Sequence, residues 1–150
     1  MSPSVNAGGA AGECTAFRLR KLSRRVSQHY DAHLAGAGLR STQFSLLGTL
    51  LRREPIMLSE LADVLEMDRT TLTRNLRPLQ AAGWVALGRG SDARTRTVAI
   101  TDGGRAKWHE ARPLWRAAQQ SLHAVFGAEH VAALHGVLDT SLERFGGARR

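Results

Sequence analysis

The stretch DRTTLTRNLRPL, residues 68–79, distributes three arginines and three threonines among three regularly spaced leucines. A helix advances about 100° per residue, so the leucines fall on one side and most of the arginines and threonines on the other. Asp68 suits the N-cap position, because its carboxylate can accept hydrogen bonds from the free amides of the next turn. The pattern predicts a helix that begins at Arg69, buries its leucines and holds a cationic face outward.

The outward face of this helix has the chemistry of a DNA major-groove reader. Arginine can donate a bidentate pair to guanine, and threonine can bond to phosphates or base edges or offer its methyl group to thymine. A charged face opposite leucines is also what an ordinary surface helix shows. A short helix and a tight turn precede the segment, as in a helix-turn-helix, although EMD replaces the usual turn glycine. The candidate major-groove residues of this face are Thr70, Thr73, Arg74 and Arg77, with Arg69 at the start of the helix as a further candidate.

A basic β-hairpin is predicted directly after this helix. The stretches WVAL and TRTVAI favour strands and flank GRGSDAR, residues 88–94, which has turn chemistry. Arginines there can reach a minor groove or the phosphates beside it. Asp92 is expected to support the turn, either by pairing with Arg94 or by capping backbone amides. From residue 69 to residue 96, six arginines stand against one acid, a local charge of +5. The candidate residues of this hairpin are Arg89, Asp92, Arg94 and Arg96.

Composition agrees with a single small domain that binds a polyanion. The chain has 150 residues and a net charge of +8, which favours nucleic acid or an acidic membrane surface as partner. Its longest apolar run, residues 44–51, is far shorter than the roughly 20 residues that span a bilayer, so no membrane partner is expected. Cys14 is the only cysteine. The absence of a disulfide framework and of a signal-peptide pattern predicts a cytoplasmic protein.

Five further helices are predicted from apolar residues that recur at three- and four-residue steps. The first runs from Cys14 to about His33, and the second ends before Pro55. Three start signals are hydroxyl caps: Ser41 or Thr42 for the second helix, Ser59 for the short third helix, and Thr101 for the fifth. The sixth helix carries a last apolar stripe. The hydroxyls of Ser41, Thr42 and Ser59 are also candidates for phosphate contacts.

Two prolines lie inside predicted helices. Pro78 removes the hydrogen bond to the Arg74 carbonyl, which costs about 3 kcal/mol in a regular helix interior. Either the helix that begins at Arg69 kinks there or a new turn starts. Pro113 is expected to bend the fifth helix early.

Three stretches together resemble the MarR family of bacterial regulators. They are the Thr-Arg segment running into L..AGWV, the pattern D.R.R...IT..G from Asp92 to Gly104, and the pattern YD..L...GL from Tyr30 to Leu39. The resemblance spans about residues 14–146. It implies a mainly α (α+β) winged helix-turn-helix fold and a homodimeric repressor whose terminal helices form the dimer. By similarity, the major groove would be faced by Thr70, Thr71, Thr73, Arg74 and Arg77, and the minor groove by Arg94.

The predicted organisation has one DNA-binding unit between dimerisation helices. Apolar stripes near both ends exceed what a small winged-helix core can cover, so a second copy is expected to bury them. Two-fold symmetry then implies a pseudo-palindromic operator.

The alternative is a basic architectural or interaction module that binds nucleic acid without sequence preference. No catalytic motif is present, so an enzyme is not expected. The expected units are a tail at 1–13, a dimerisation helix and connection at 14–40, the DNA-binding domain at 41–104, dimerisation helices at 105–146 and a tail at 147–150.

Several residues are candidates for sensing. Members of the family often bind small phenolic or carboxylate compounds, sense oxidants through a cysteine, or bind zinc. Cys14 is a candidate redox sensor, although a lone cysteine is more commonly inert. His29 and His33 have a chelating spacing, but no Cys or carboxylate cluster lies nearby in sequence, so no metal or other cofactor is expected. Trp108 and Trp115 can line a cleft for a small aromatic or carboxylate effector, or simply pack.

Overall fold

The computed structural model describes residues 14–147, so the predicted tail 1–13 and the last three residues of the predicted tail 147–150 lie outside it. Gly147 itself ends a helix. Within the described range the chain is mostly helical with one small sheet, which confirms the predicted fold class. The helices are α1 (Thr15–Leu34), α2 (Ser41–Arg53), α3 (Leu58–Val64), α4 (Arg69–Ala81), α5 (Asp102–Phe126) and α6 (Ala128–Gly147), and the strands are β1 (Ile56–Met57), β2 (Val85–Arg89) and β3 (Arg96–Ile100).

The sheet is antiparallel with β3 at its centre, in the order β1-β3-β2. Val85 of β2 pairs with Ile100, and Arg89 pairs with Arg96, so β2 and β3 form the predicted hairpin. Beyond the end of β1, the amide of Ile100 donates to Glu54 Oε2 at 3.0 Å. Glu54 also forms an ion pair with Arg105 of α5. This carboxylate therefore ties the base of the hairpin to α2 and α5.

The leucines of α4 are buried as predicted. Leu72, Leu76 and Leu79 are at most 2% exposed and belong to one cluster of buried apolar residues. The same cluster includes Leu50 of α2 and Val98 of β3. Since α4 is held by apolar contacts with several elements, its opposite face has a fixed direction.

Two predicted helix caps are confirmed. Asp68 Oδ1 accepts from the amide of Thr71 at 2.8 Å, and Thr101 Oγ1 accepts from the amide of Gly104 at 3.0 Å. The Thr101 hydroxyl also donates to the carbonyl of Gly83 at 2.6 Å, which joins the start of α5 to the end of α4. A Cβ atom at Gly104 would overlap the Trp84 carbonyl. The backbone after α4, at Gly83 and Trp84, therefore packs directly against the start of α5, at Thr101 and Gly104. This contact leaves no room for a side chain at position 104.

The two other predicted hydroxyl caps are wrong. Helix α2 begins at Ser41 itself with Arg40 at the N-cap, and the amide of Ser41 donates to Asp31 Oδ1 at 2.7 Å. A carboxylate from the preceding helix thus supplies the acceptor that a hydroxyl was expected to supply. Helix α3 begins at Leu58, with Met57 at the N-cap and no side-chain cap, so Ser59 lies within the helix.

Both prolines lie inside continuous helices. Helix α4 extends past Pro78 to Ala81, and the Pro78 carbonyl accepts from the amide of Ala82 at 3.0 Å. Of the two alternatives at Pro78, the start of a new turn is therefore wrong. Pro78 has no amide hydrogen to donate to the Arg74 carbonyl, yet the helix continues through it to Ala81. Helix α5 likewise continues through Pro113 to Phe126. No helix within residues 14–147 has the length and apolar content to span a bilayer.

Candidate nucleic-acid interface

The exposed face of α4 brings five of the six predicted major-groove residues together. They line one shallow cavity of about 400 Å³ and are Arg69, Thr70, Thr73, Arg74 and Arg77. The sixth, Thr71, is half-buried, and its hydroxyl donates to Asp68 Oδ2 at 2.6 Å. Its side chain is thus engaged in the helix cap. The same hydroxyl, together with the Thr71 amide, lowers the pKa of Asp68, so the cap stays charged at neutral pH.

The hairpin turn is organised by a single carboxylate. Asp92 Oδ1 accepts from the amides of Arg94 at 2.9 Å and Thr95 at 2.8 Å, and from the Thr95 hydroxyl at 2.8 Å. The Thr95 hydroxyl and these two amides lower the pKa of Asp92. Of the two roles predicted for Asp92, capping of backbone amides is the one observed. Arg89 and Arg94 are exposed beside this ordered turn.

The third arginine of the hairpin lies nearer to α4. Arg96 lines a cavity of about 410 Å³ between the hairpin and α4, opposite Arg69, Thr73 and Arg77. Leu87 of β2 also lines this cavity. The hairpin and the helix therefore present their cations on one continuous surface, where repulsion between them favours a polyanion as occupant.

The other flank of α4 contains residues that the sequence did not indicate. Arg40 and Gln43, with Thr42, line a cavity of about 360 Å³ together with Arg74 and Asn75. Arg40 extends the cationic surface to the start of α2. A single exposed arginine before a helix gives no signal in sequence, because its place beside α4 depends on how α2 and α4 pack.

The three candidate phosphate contacts are placed differently. Thr42 is exposed beside Arg40 and Arg74, whereas Ser41 is half-buried with its amide bonded to Asp31. Ser59 is exposed on α3, outside the cavities that flank α4. Thr42 is thus the best placed of the three.

The candidate sensor residues lie on other elements. Cys14 is exposed at the N-cap of α1. His29 Nε2 donates to the carbonyl of Ala118 at 2.9 Å, and His33 Nδ1 donates to the carbonyl of His29 at 2.9 Å. Both imidazoles thus have backbone partners. Among the residues described, no group of three or more His, Cys, Asp or Glu side chains can hold a metal ion.

An aromatic groove lies between α2 and α5. Phe44 stacks on Trp108 with ring centroids 5.4 Å apart, and on Trp115 with centroids 5.8 Å apart. Arg52 and Arg112 line the same groove of about 380 Å³, and the Arg112 guanidinium lies 5.6 Å from the Trp108 ring. The Nε1 of Trp108 is buried without a hydrogen-bond partner in the described part of the chain. The groove thus combines stacked rings with two cations.

A cationic helix fixed by buried leucines, preceded by a short helix and followed by a basic hairpin, defines a winged helix-turn-helix DNA-binding protein. The MarR family model matches residues 39–94. The chain belongs to the MarR family, as the sequence patterns predicted, and it is a transcriptional regulator.

Similar proteins agree with this assignment. The transcriptional regulator MosR of M. tuberculosis, solved in complex with DNA, is 36% identical, with a TM-score of 0.76 over 87% of this chain and 97% of MosR. A mutant of E. coli MarR, complexed with operator DNA, is 26% identical, with a TM-score of 0.78 over 94% of this chain and 99% of that one. The uncharacterised HTH-type transcriptional regulator YwoH of Bacillus subtilis is 28% identical over 93 residues, which are 62% of this chain and 68% of YwoH. MosR and YwoH are both described as transcriptional regulators, and MosR and MarR were both solved with DNA bound.

Proposed function

We propose that the protein is a homodimer that binds a pseudo-palindromic operator and represses transcription until a small ligand or an oxidant releases it. One α4 from each subunit enters the major groove, and each hairpin acts as a wing beside the minor groove. The proposal rests mainly on α4, whose Leu72, Leu76 and Leu79 are buried while its arginines are exposed. Rigid presentation of bidentate donors is what base recognition requires. A regulator of bacterial transcription works at the chromosome, so we place it in the cytoplasm.

Exposed apolar side chains support dimerisation through the two ends of the chain. Phe17 and Leu19 on α1 are 41% and 50% exposed, and Leu142 and Phe145 on α6 are 55% and 77% exposed. A monomer would leave these side chains in water, whereas a second copy can bury them. We therefore assign residues 14–40 and 105–146 to dimerisation and residues 41–104 to DNA binding.

Selection from a random pool of duplexes tests sequence preference. The purified protein should enrich one pseudo-palindrome and bind it at least about 10³-fold more tightly than random duplex at physiological salt. Equal affinity for both duplexes, with the same salt dependence, would instead indicate the architectural module that binds nucleic acid without sequence preference. Sedimentation velocity on the same sample should give the mass of a dimer.

The aromatic groove supports a small aromatic or carboxylate effector. Phe44, Trp108 and Trp115 provide faces for a planar ring, and Arg52 and Arg112 can pair with a carboxylate. A panel of aromatic carboxylates should quench tryptophan fluorescence and release the operator, with uncharged rings as controls. Arg112→Gln removes one of the two cations and leaves the ring stack in place, so it should weaken the response to the carboxylates without unfolding the chain. An unchanged response would remove this groove from the proposal.

Oxidation of the Cys14 thiol is the second proposed way of releasing the protein from its operator. Mild peroxide should lower operator affinity in the wild type and not in Cys14→Ser. An identical response of both proteins would exclude the thiol as the sensor.

A further inference from the structure

The three threonines of α4 use their hydroxyl groups in three different ways. Thr71 Oγ1 donates to Asp68 Oδ2 at 2.6 Å, and Thr73 Oγ1 donates to the carbonyl of Arg69 at 2.8 Å. The Thr70 hydroxyl has no hydrogen-bond partner among the described residues, and Thr70 is exposed. Similar side chains within four residues therefore offer different groups to a ligand.

The hydroxyl proton of Thr73 is already committed. A hydroxyl has one hydrogen and a carbonyl can only accept, so Thr73 must donate to Arg69. Phosphate oxygens, the major-groove edge of guanine and the O4 of thymine are all hydrogen-bond acceptors, so a protein side chain must donate to them. Thr73 cannot donate to them without breaking its bond to the helix backbone. The bond also turns Oγ1 towards the preceding helical turn.

The γ-methyl of Thr73 remains as the free branch of this side chain. Thr73 is exposed and lines the cavity shared by Thr70, Arg74 and Arg77. It also lines the cavity between α4 and the hairpin. The methyl group is therefore an apolar point on a cationic surface. In the major groove, the apolar group that distinguishes one base from the others is the 5-methyl of thymine.

We propose that Thr73 is a thymine-reading residue whose γ-methyl packs against the 5-methyl of one thymine in each half-site. Its hydroxyl fixes the side-chain rotamer and donates no hydrogen bond to DNA. The inference rests on the proposed entry of α4 into the major groove.

Replacing each operator thymine singly by deoxyuridine tests the proposal, because this change removes only the 5-methyl group. For the wild type, one position per half-site should lose about fourfold in affinity, the ratio expected for burial of a single methyl or methylene group. Random duplex, titrated alongside, reports on the proposed function separately. Equal affinity for operator and random duplex contradicts both ideas, whereas retained preference without any uracil-sensitive position contradicts only the thymine contact.

Two substitutions then separate the methyl group from the hydroxyl. Thr73→Val keeps a γ-methyl in place and should retain the thymine-to-uracil ratio. Thr73→Ser keeps the hydroxyl and should reduce that ratio to about one. Thr140→Ser is the matched control, since it deletes the same methyl group from an exposed site on α6, away from α4, and should leave the ratio unchanged.

The opposite pattern overturns the proposal. Loss of the ratio in Thr73→Val would make the hydroxyl the reading group, and an intact ratio in Thr73→Ser would assign the thymine to another residue. Loss of the ratio in the Thr140→Ser control would show that the effect is not specific to Thr73. Both positions are exposed, so thermal unfolding should confirm that each variant folds.

Discussion

Helix α4 and the hairpin of β2 and β3 are both cationic, but different forces hold them in place. Helix α4 is fixed by three leucines that are at most 2% exposed, so its arginines are positioned by apolar burial. The turn of the hairpin is fixed by hydrogen bonds to one exposed carboxylate, Asp92. Burial resists changes of pH and salt, whereas a polar turn depends on the charge of its acceptor. Helix α4 should therefore be displaced by loss of a buried side chain, whereas the hairpin turn should be loosened by loss of the Asp92 charge or acceptor.

Removal of a leucine from the buried face should have the largest effect. Leu76→Ala is expected to lower the free energy of unfolding by about 2 to 5 kcal/mol, because it leaves a cavity under α4. Chemical denaturation followed by circular dichroism measures this change. Gln80→Ala, on the exposed side of the same helix, is the control and should be nearly neutral. A loss below about 1 kcal/mol for Leu76→Ala would contradict the role of this face as the anchor.

A change on the outward face should affect DNA binding and leave the fold intact. Arg74 lines the cavity on the exposed face of α4 and the cavity beside α2, so Arg74→Ala should cost about 1 to 3 kcal/mol on the selected operator and less on random duplex. Fluorescence anisotropy with both duplexes measures the difference. Arg116→Ala removes the same charge from an exposed site on α5 and should spare both affinities. Equal losses on the two duplexes would show that Arg74 contacts phosphate rather than bases.

Removal of a cation from the hairpin should act on all duplexes alike. Arg94→Ala is expected to weaken operator and random DNA by a similar factor and to reduce the salt slope by about one for each phosphate that is no longer neutralised. The measurement is affinity against salt concentration for both duplexes. An unchanged salt slope would exclude Arg94 from the interface.

What the sequence predicts well here is local. Asp68 and Thr101 accept from the amides three residues later, at the starts of α4 and α5, and the buried leucines of α4 follow from helical periodicity alone. The hairpin follows in the same way from two β-prone stretches around a turn. These features need only neighbouring residues, which explains why they are visible without a structure.

What the sequence misses depends on packing between distant segments. The carboxylate that caps α2 belongs to Asp31, ten residues before Ser41, whereas the sequence predicted a cap by the hydroxyl of Ser41 or Thr42. Arg40 joins the cationic surface only because α2 packs beside α4. The three threonines are equivalent in sequence, yet one donates to a carboxylate and another to the backbone. Side-chain hydrogen bonds thus decide which group of a candidate residue is available.

The smallest effect should come from the acceptor that orders the hairpin turn. Asp92→Asn and Asp92→Ala remove the same charge, but only asparagine keeps a side-chain oxygen that can accept from the amides of Arg94 and Thr95. We expect Asp92→Ala to bind the operator more weakly than Asp92→Asn at pH 7. Without an acceptor the turn is less ordered, so Arg94 occupies more positions and must be fixed again when DNA binds. Equal affinities would show that the turn is held without this acceptor.

The charge of Asp92 also predicts the direction of a pH effect. Hydrogen bonds from Thr95 and Arg94 lower the pKa of Asp92 below its ordinary value of 3.8. A carboxylate whose pKa is lowered by folding stabilises the structure above its unfolded pKa, and this stabilisation is lost as pH falls through the folded value. The turn should therefore stay ordered at neutral pH and loosen only below pH 3.8. In NMR spectra recorded across the acid range, the amides of Arg94 and Thr95 should shift with a midpoint below 3.8, and they should not shift in Asp92→Asn. A midpoint above that value would mean that these amides do not stabilise the charged carboxylate, and that the hairpin is ordered by its strand pairing alone.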